Sequence, residues 1–343
     1  MQFIKPGINI DIIGKRRIAF VVSAIVLLIS IGSLIYHKGL KQGVDFAGGT
    51  LIQVKFSSPV NVGDIKSGLN FAEIGKPSVQ QFGESGDNEY LIHTDASGMT
   101  GHGFSQSIVD GLQSATGTDV ELRRIEMVGP QVGKDLREKA LFALFYALLF
   151  ITIYISGRFE MKWLISGVMA GALSLAVYFL SAFNVSIPIL IVAALIISIV
   201  LFWFLQLKYA MGAIVALIHD VIITVGIFSL ADKEFTLPIV AALLTIIGYS
   251  LNDTIIVFDR IRENLRKYHK DTLEVIINRS INETLSRTIL TSITTLFVVV
   301  TLFVLGGGII HDLAFALMVG VIVGTYSSVF VASPILLIFH AKK

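Results

Sequence analysis

The stretch Gly248–Arg260, GYSLNDTIIVFDR, sets Asn252 beside Asp253 at the end of a run that is largely apolar back to Thr236. A carboxylate in hydrocarbon costs roughly 2.5–3.5 kcal/mol on insertion scales, so a chain that carries one there compensates it or uses it. Thr245, Tyr249, Asn252 and Asp253 recur at i, i+4, i+7 and i+8, which predicts one polar stripe along a helix. Counted from Pro238, Asp253 lies about 22 Å along that helix. Gly248 beside the stripe admits a close neighbour.

A counter-charge is available in the sequence. Arg287 is expected to open the next apolar helix, with Thr291 and Thr294 continuing its face toward Asp253. A carboxylate releases its proton more readily beside a guanidinium than when left alone in an apolar surrounding, so a pair that makes and breaks is a proton switch. Two plainer readings stand beside this one: a permanently hydrogen-bonded carboxylate, and an arginine that snorkels to the interface. His219–Asp220 sits mid-span in another apolar run, where structural and functional roles are equally open. Being adjacent on a helix, these two are expected to serve different neighbours. His311–Asp312 reads as interfacial.

Other chemistries are poorly supported. With no cysteine in 343 residues, disulfides, zinc–thiolate sites and thiol catalysis are excluded. Gly129–Lys134, GPQVGK, has one residue too few for a phosphate-binding loop, and Asp135 replaces the required hydroxyl. His93 and His102 lack ligand partners nearby in sequence and read as surface histidines. No HExxH or GxSxG occurs. A non-enzyme is expected, with no metal and no cofactor beyond protons as a coupling ion. The net charge of +2 gives no reason to expect nucleic acid.

The elements that must position these residues are membrane helices. The chain is 54% hydrophobic and only 15% charged, against about 25% charged in soluble domains. Eight apolar spans are predicted: Ile18–Tyr36, Leu141–Ser156, Trp163–Phe183, Ser186–Leu207, Met211–Leu230, Thr236–Phe258, Thr288–Leu305 and Leu313–Phe339. The first follows Lys15, Arg16 and Arg17, but it is too long for a signal-peptide core and no A-x-A pattern follows, so it reads as an uncleaved anchor. Arg158, Lys162, Lys208, the run Arg260, Arg262, Arg266, Lys267 and Lys270, and the terminal Lys342 and Lys343 all fall on one side. The opposite connections, near Asn184, Asp232–Glu234 and Gly306–Gly308, carry one lysine between them. Positive-inside counting therefore places both termini in the cytoplasm. Asp271 and Glu274 stand at capping-box spacing ahead of a short interfacial helix to Leu285.

One connection is too long to be a simple loop. GTLIQVKF alternates as a half-buried strand; a helical stretch near Val62–Phe71, the strand-like SVQQF and EYLIHT, a helical face of Phe104, Ile108 and Leu112, and the strand DVELRRIEMV follow. This β-α-β-β-α-β order suggests a ferredoxin-like domain over residues 37–137, outside the membrane. The expected fold is thus a polytopic α-helical membrane protein of about eight spans with one periplasmic α+β domain. Its divisions are an N-terminal segment and first span (1–36), the external domain (37–137), a second span (138–162), an extra hairpin (163–208), and core helices (209–343) with a cytoplasmic connector at 259–287.

Five stretches together carry a resemblance: GVDFAGGT (Gly43–Thr50), VGPQVGKDL (Val128–Leu136), ALIHD (Ala216–Asp220), IGYSLNDTIIVFDRIREN (Ile247–Asn264) and RTILTSITTL (Arg287–Leu296). They are similar, in order and over most of the chain, to the SecD/SecF family of bacterial protein-export membrane proteins in the resistance–nodulation–division superfamily. The resemblance implies an inner-membrane subunit that pairs with SecD, associates with the SecYEG channel, and uses the proton-motive force late in preprotein translocation. It also implies that an intramembrane Asp and an Arg on the following helix, matching Asp253 and Arg287, are tied to proton movement; the polar residues themselves add Asn252 to that pair and His219, Asp220, Tyr249 and Thr291 as secondary candidates. Alternatives are half of a lipid or small-molecule exporter of the same superfamily, and a non-conducting scaffold of the translocon.

The chain departs from the resemblance in one place. Members ordinarily have six spans, passing from RFE almost directly to ALIHD; here an uncharged stretch, Trp163–Gln206, intervenes. NVSIPILIVAAL parallels EFTLPIVAAL fifty positions on, which fits a duplicated hairpin stripped of its polar residues and equally a chance likeness of apolar helices. The hairpin is expected to face lipid or a partner.

Overall fold

The computed structural model describes residues 8–71, 77–82, 86–94, 102–181 and 187–340. The expected turn at Asn184, the ends of the flanking spans at Phe183 and Ser186, Lys342, Lys343 and the side chain of His102 lie outside the described residues.

After the apolar helix α1 (Arg16–Tyr36) and the short α2 (Val44–Ala47), the chain alternates strand and helix: β1 (Gly49–Phe56), α3 (Val62–Phe71), β2 (Ser78–Phe82), β3 (Glu89–Thr94), α4 (His102–Thr116) and β4 (Val120–Val128). The strands form one antiparallel sheet in the order β2-β3-β1-β4. The period of two in β1 sends Ile52, Val54 and Phe56 to one face, where they meet Ile65 and Leu69 of α3 and Ile108 and Leu112 of α4 in a buried core. The other face, with Leu51, Gln53 and Arg124, overhangs the ends of the membrane helices across a cavity of about 360 Å³.

The membrane part comprises α5 (Pro130–Glu160), α6 (Trp163–Ser181), α7 (Ile187–Phe204), α8 (Lys208–Leu230), α9 (Leu237–Lys267), α10 (Leu273–Leu305), α11 (Gly308–Ser327), a π-helical turn at Ser328–Ala332, and α12 (Ser333–His340). Proline at the first or second position starts α5 and α9, where its missing N–H costs nothing. Among the described residues six helices are long and apolar enough to cross a membrane, with Gly308–Ile338 counted as one. The two further spans expected from sequence are α6 and α7, whose described apolar parts, Trp163–Phe179 and Val192–Phe204, are shorter.

Several expected boundaries change. The division at 137–138 falls inside α5, which runs unbroken from the sheet into the membrane part. The connector expected at 259–287 is mostly helix, because α9 continues to Lys267 and α10 begins at Leu273. With no proline or glycine from Leu273 to Leu305, the anticipated interfacial helix and the next span are one rod. Arg287 is therefore mid-helix rather than at a helix mouth. The capping box is not formed either: Thr272 occupies the N-cap without a side-chain bond, Asp271 pairs with Arg279 at 2.9 Å, and Glu274 pairs with Arg16 at 2.8 Å.

The hairpin α6–α7 leaves and rejoins the bundle at one point. Glu160, ending α5, accepts a hydrogen bond from the backbone N–H of Tyr209 in the first turn of α8 at 2.9 Å, an acidic group at a helix N-terminus, where it is favoured. Outward, the hairpin exposes Leu164, Val168, Tyr178 and Phe204.

Candidate functional site: two buried carboxylates

Helices α8, α9 and α11 pack against one another at the centre of the bundle, with α1 and α10 outside them. Small residues make the close approach possible. A Cβ on Gly226 of α8 would fall 2.2 Å from Ser30 of α1, and one on Gly324 of α11 would fall 2.9 Å from Ser250 of α9.

Asp253 points into this packing and is 1% exposed. Its Oδ2 is buried and accepts no hydrogen bond. Arg287 of α10 is exposed yet near enough to act electrostatically on Asp253. Among the described residues no ion pair within 4 Å joins them. The polar stripe divides at this level, because one residue along a helix turns the side chain by about 100°. Asp253 faces inward, whereas Asn252 and Thr245 face outward and are exposed. Tyr249 is half-buried, and its hydroxyl reaches Ser292 of α10 at 3.5 Å; Ser292 in turn bonds Thr325 of α11 at 2.6 Å. Thr291 and Thr294 spend their hydroxyls on the carbonyls of their own helix, including that of Arg287 at 3.1 Å from Thr291.

Asp220 has the opposite environment at the same 1% exposure. Its Oδ2 accepts from Ser250 of α9 at 2.6 Å and from Ser327 of α11 at 2.7 Å, while Oδ1 lies 3.0 Å from Nδ1 of His219. Nε2 of His219 reaches Ser23 of α1 at 3.2 Å, and Ser23 bonds the hydroxyl of Tyr326. The two neighbours do serve different helices, as expected, but they also bond each other, which the angular argument had not allowed for. Ser23, Ser250, Ser327 and Tyr326 escaped the sequence reading. Serines are ordinary in apolar helices, and only the seven-residue spacing of Ser23 and Ser30 marks a face of α1.

The remaining candidates are settled by contacts. Nδ1 of His311 lies 2.8 Å from the carbonyl of Phe303, its ring stacks on that residue at 4.2 Å, and Asp312 pairs with Lys233 at 2.5 Å. His93 is not a surface residue: it faces Glu234 at 3.3 Å between the sheet and the α8–α9 connection, with 18% of its side chain exposed.

Comparisons with known proteins agree with this architecture. The family model described as protein export membrane protein SecD/SecF, C-terminal, matches residues 108–199 and again 182–342, and the SecD/SecF GG motif matches residues 33–60. A protein translocase subunit SecF from Magnetococcus marinus is 41% identical, over 98% of this chain and 94% of that protein. One from Calditerrivibrio nitroreducens is 40% identical, over 97% and 95%. The crystal structure of SecDF, a translocon-associated membrane protein from Thermus thermophilus, superposes with a TM-score of 0.75 at 28% identity, over 98% of this chain. This chain spans 39% of the length of that one.

Proposed function

Because the chain belongs to the SecD/SecF family of protein-export membrane proteins, we propose that it is a proton-motive-force-driven subunit that pairs with SecD beside the SecYEG channel and assists late translocation of preproteins. It performs no catalysis of its own. The observation that carries the reading is the state of Asp253, a buried carboxylate with an oxygen that nothing bonds, near a guanidinium that it does not pair with. Such a group is costly when charged and alone. Protonation removes that cost, and approach of Arg287 offsets it. Two arrangements of α9 against α10 therefore exchange with the proton.

The energy is of the right size. A proton falling through about 150 mV releases roughly 3.5 kcal/mol, enough to shift a conformational equilibrium a few hundredfold. The outward Asn252, Thr245 and Arg287 are polar groups without cover on spans that otherwise meet lipid, and in this reading SecD covers them. That the chain spans only 39% of the SecDF length supports a unit completed by a partner. In the same reading the chain lies in the bacterial inner membrane with eight spans and both termini cytoplasmic. The sheet domain, ferredoxin-like in its strand order, is periplasmic. The α6–α7 hairpin is an added copy of the α8–α9 pair that faces lipid, a view supported by the two overlapping matches of one family model.

The test is preprotein translocation into vesicles holding the matched SecD and channel, for the unsubstituted chain and Asp253→Asn, with and without a proton-motive force. The proposal expects normal assembly and loss of only the force-dependent gain. Persistence of that gain in an assembled variant would leave the scaffold reading in its place.

A further inference from the structure

The stretches GVDFAGGT and VGPQVGKDL are motifs for which the proton switch has no use, and their surroundings in the structure give them a role. Asp45 lies in α2, between the end of α1 and the first strand of the sheet. Its Oδ2 accepts a hydrogen bond from the backbone N–H of Leu237 at 2.8 Å. Leu237 is the first residue of α9, so a carboxylate from the leader of the sheet domain caps the helix that carries Asp253.

The cap is one part of a joint. Gly43 N–H bonds the carbonyl of Phe235 at 2.9 Å, and Phe235 N–H bonds that of Lys41 at 2.7 Å, so the leader and the α8–α9 connection pair as short strands. Phe46 stacks on Phe235 at 6.0 Å. Gly48, at φ +76°, packs where a Cβ would meet the backbone of Pro130 at 2.9 Å, and Gly133 packs against the carbonyl of Phe46. Only glycine combines that φ with that contact. The first two sequence motifs thus fit together at the start of α5, and Asp45 fastens both to α9.

We propose that Asp45 is a positioning residue that couples α9 to the sheet domain, so that a displacement of α9 set by the proton at Asp253 moves that domain. The inference rests on the proton reading above. It draws on the continuity of α9, which has 31 residues from Leu237 to Lys267. From Leu237 to Asp253 the rod measures about 24 Å at 1.5 Å per residue. A force applied at Asp253 is delivered at the capped end, where Asp45 holds it.

The experiment uses the reconstituted complex with fluorophores at Glu121→Cys on the sheet domain and Ile309→Cys at the start of α11, both exposed in a chain that has no other cysteine. In the otherwise unsubstituted chain, imposing a proton-motive force is expected to shift the transfer efficiency between the dyes. Asp45→Ala is expected to lose both the shift and the force-dependent gain in translocation while retaining assembly and unstimulated translocation. Asp45→Asn, which keeps a side-chain oxygen for the Leu237 N–H, is expected to retain both. Leu237→Pro removes the donor instead of the acceptor, at a first helical position where proline is favoured. It follows a residue already extended (Thr236, φ −121°, ψ 172°), so it tests the same bond should the alanine chain fail to assemble. The inference is overturned if the dyes show no shift in the unsubstituted chain, or if the assembled Asp45→Ala or Leu237→Pro chain keeps the force-dependent gain. Asp253→Asn separates the two ideas. If it loses the gain and Asp45→Ala does not, only the joint fails; if it keeps the gain, the proton reading itself falls.

Discussion

Asp220 and Asp253 are buried to the same degree, on neighbouring helices of one bundle, and differ in nearly everything else. Asp220 accepts from two serine hydroxyls on two helices and faces the ring of His219. Asp253, three residues along α9 from one of those serines, accepts nothing at Oδ2. Burial alone therefore does not make an intramembrane carboxylate a moving part. Donors that surround a carboxylate fix its position; in the function proposed above, donors held back leave the other carboxylate free to exchange a proton. The Asp220 cluster joins α8, α9, α11 and, through His219 and Ser23, α1; in the proposed function it is the fixed frame within which Asp253 acts.

Perturbing both sites should separate them. The largest effect expected is on transport: Asp253→Asn removes the whole force-dependent gain, yet its resistance to unfolding in mixed detergent matches or exceeds that of the unsubstituted chain, because no hydrogen bond is lost and a buried charge is relieved. A clear loss of stability would show that Asp253 is as structural as Asp220. Asp220→Ala reverses the pattern. It strips the interhelical partners from Ser250 and Ser327, besides the bond to His219 within its own helix, and at roughly 0.6 kcal/mol per interhelical bond in membrane proteins the same unfolding assay should register a loss of roughly 1.2 kcal/mol. Ser327→Ala removes one of those bonds and should cost about 0.6 kcal/mol with the force-dependent gain intact. Smallest of all, Asn252→Ala, at an exposed position, should change stability by less than about 0.5 kcal/mol. A larger change in the isolated chain would place Asn252 in the frame rather than on the outer face.

Much of this arrangement was legible in the sequence. Long apolar runs announce spans, and a period of two announces β1, so the strand and helix order could be read directly. Asp253 was conspicuous because a carboxylate in an apolar run has a known cost. What stayed hidden depends on distance across helices. Ser250 and Ser327 look like any serine in a membrane helix until Gly324 lets α11 close on α9. The stripe was read as one face because i, i+7 and i+8 were grouped together, although Asn252 and Asp253 fall on either side of the boundary between interior and surface. Arg287 reads as lying at a helix mouth when the interfacial helix to Leu285 and the span from Thr288 are taken as separate, whereas an unbroken run without proline or glycine carries the helix straight through it. The capping box failed for a related reason: Arg279 and Arg16 offer Asp271 and Glu274 better partners than the local backbone does.

The most direct test of the comparison is to observe the proton itself. Infrared difference spectra of the reconstituted complex, recorded with and without a proton-motive force, would report a carboxylic acid gaining or losing its proton. The account predicts a carboxylic-acid band that disappears in Asp253→Asn and persists in Ser327→Ala. A band that survives Asp253→Asn, or that Ser327→Ala alone displaces, would contradict it and move the proton to the cluster described here as the frame.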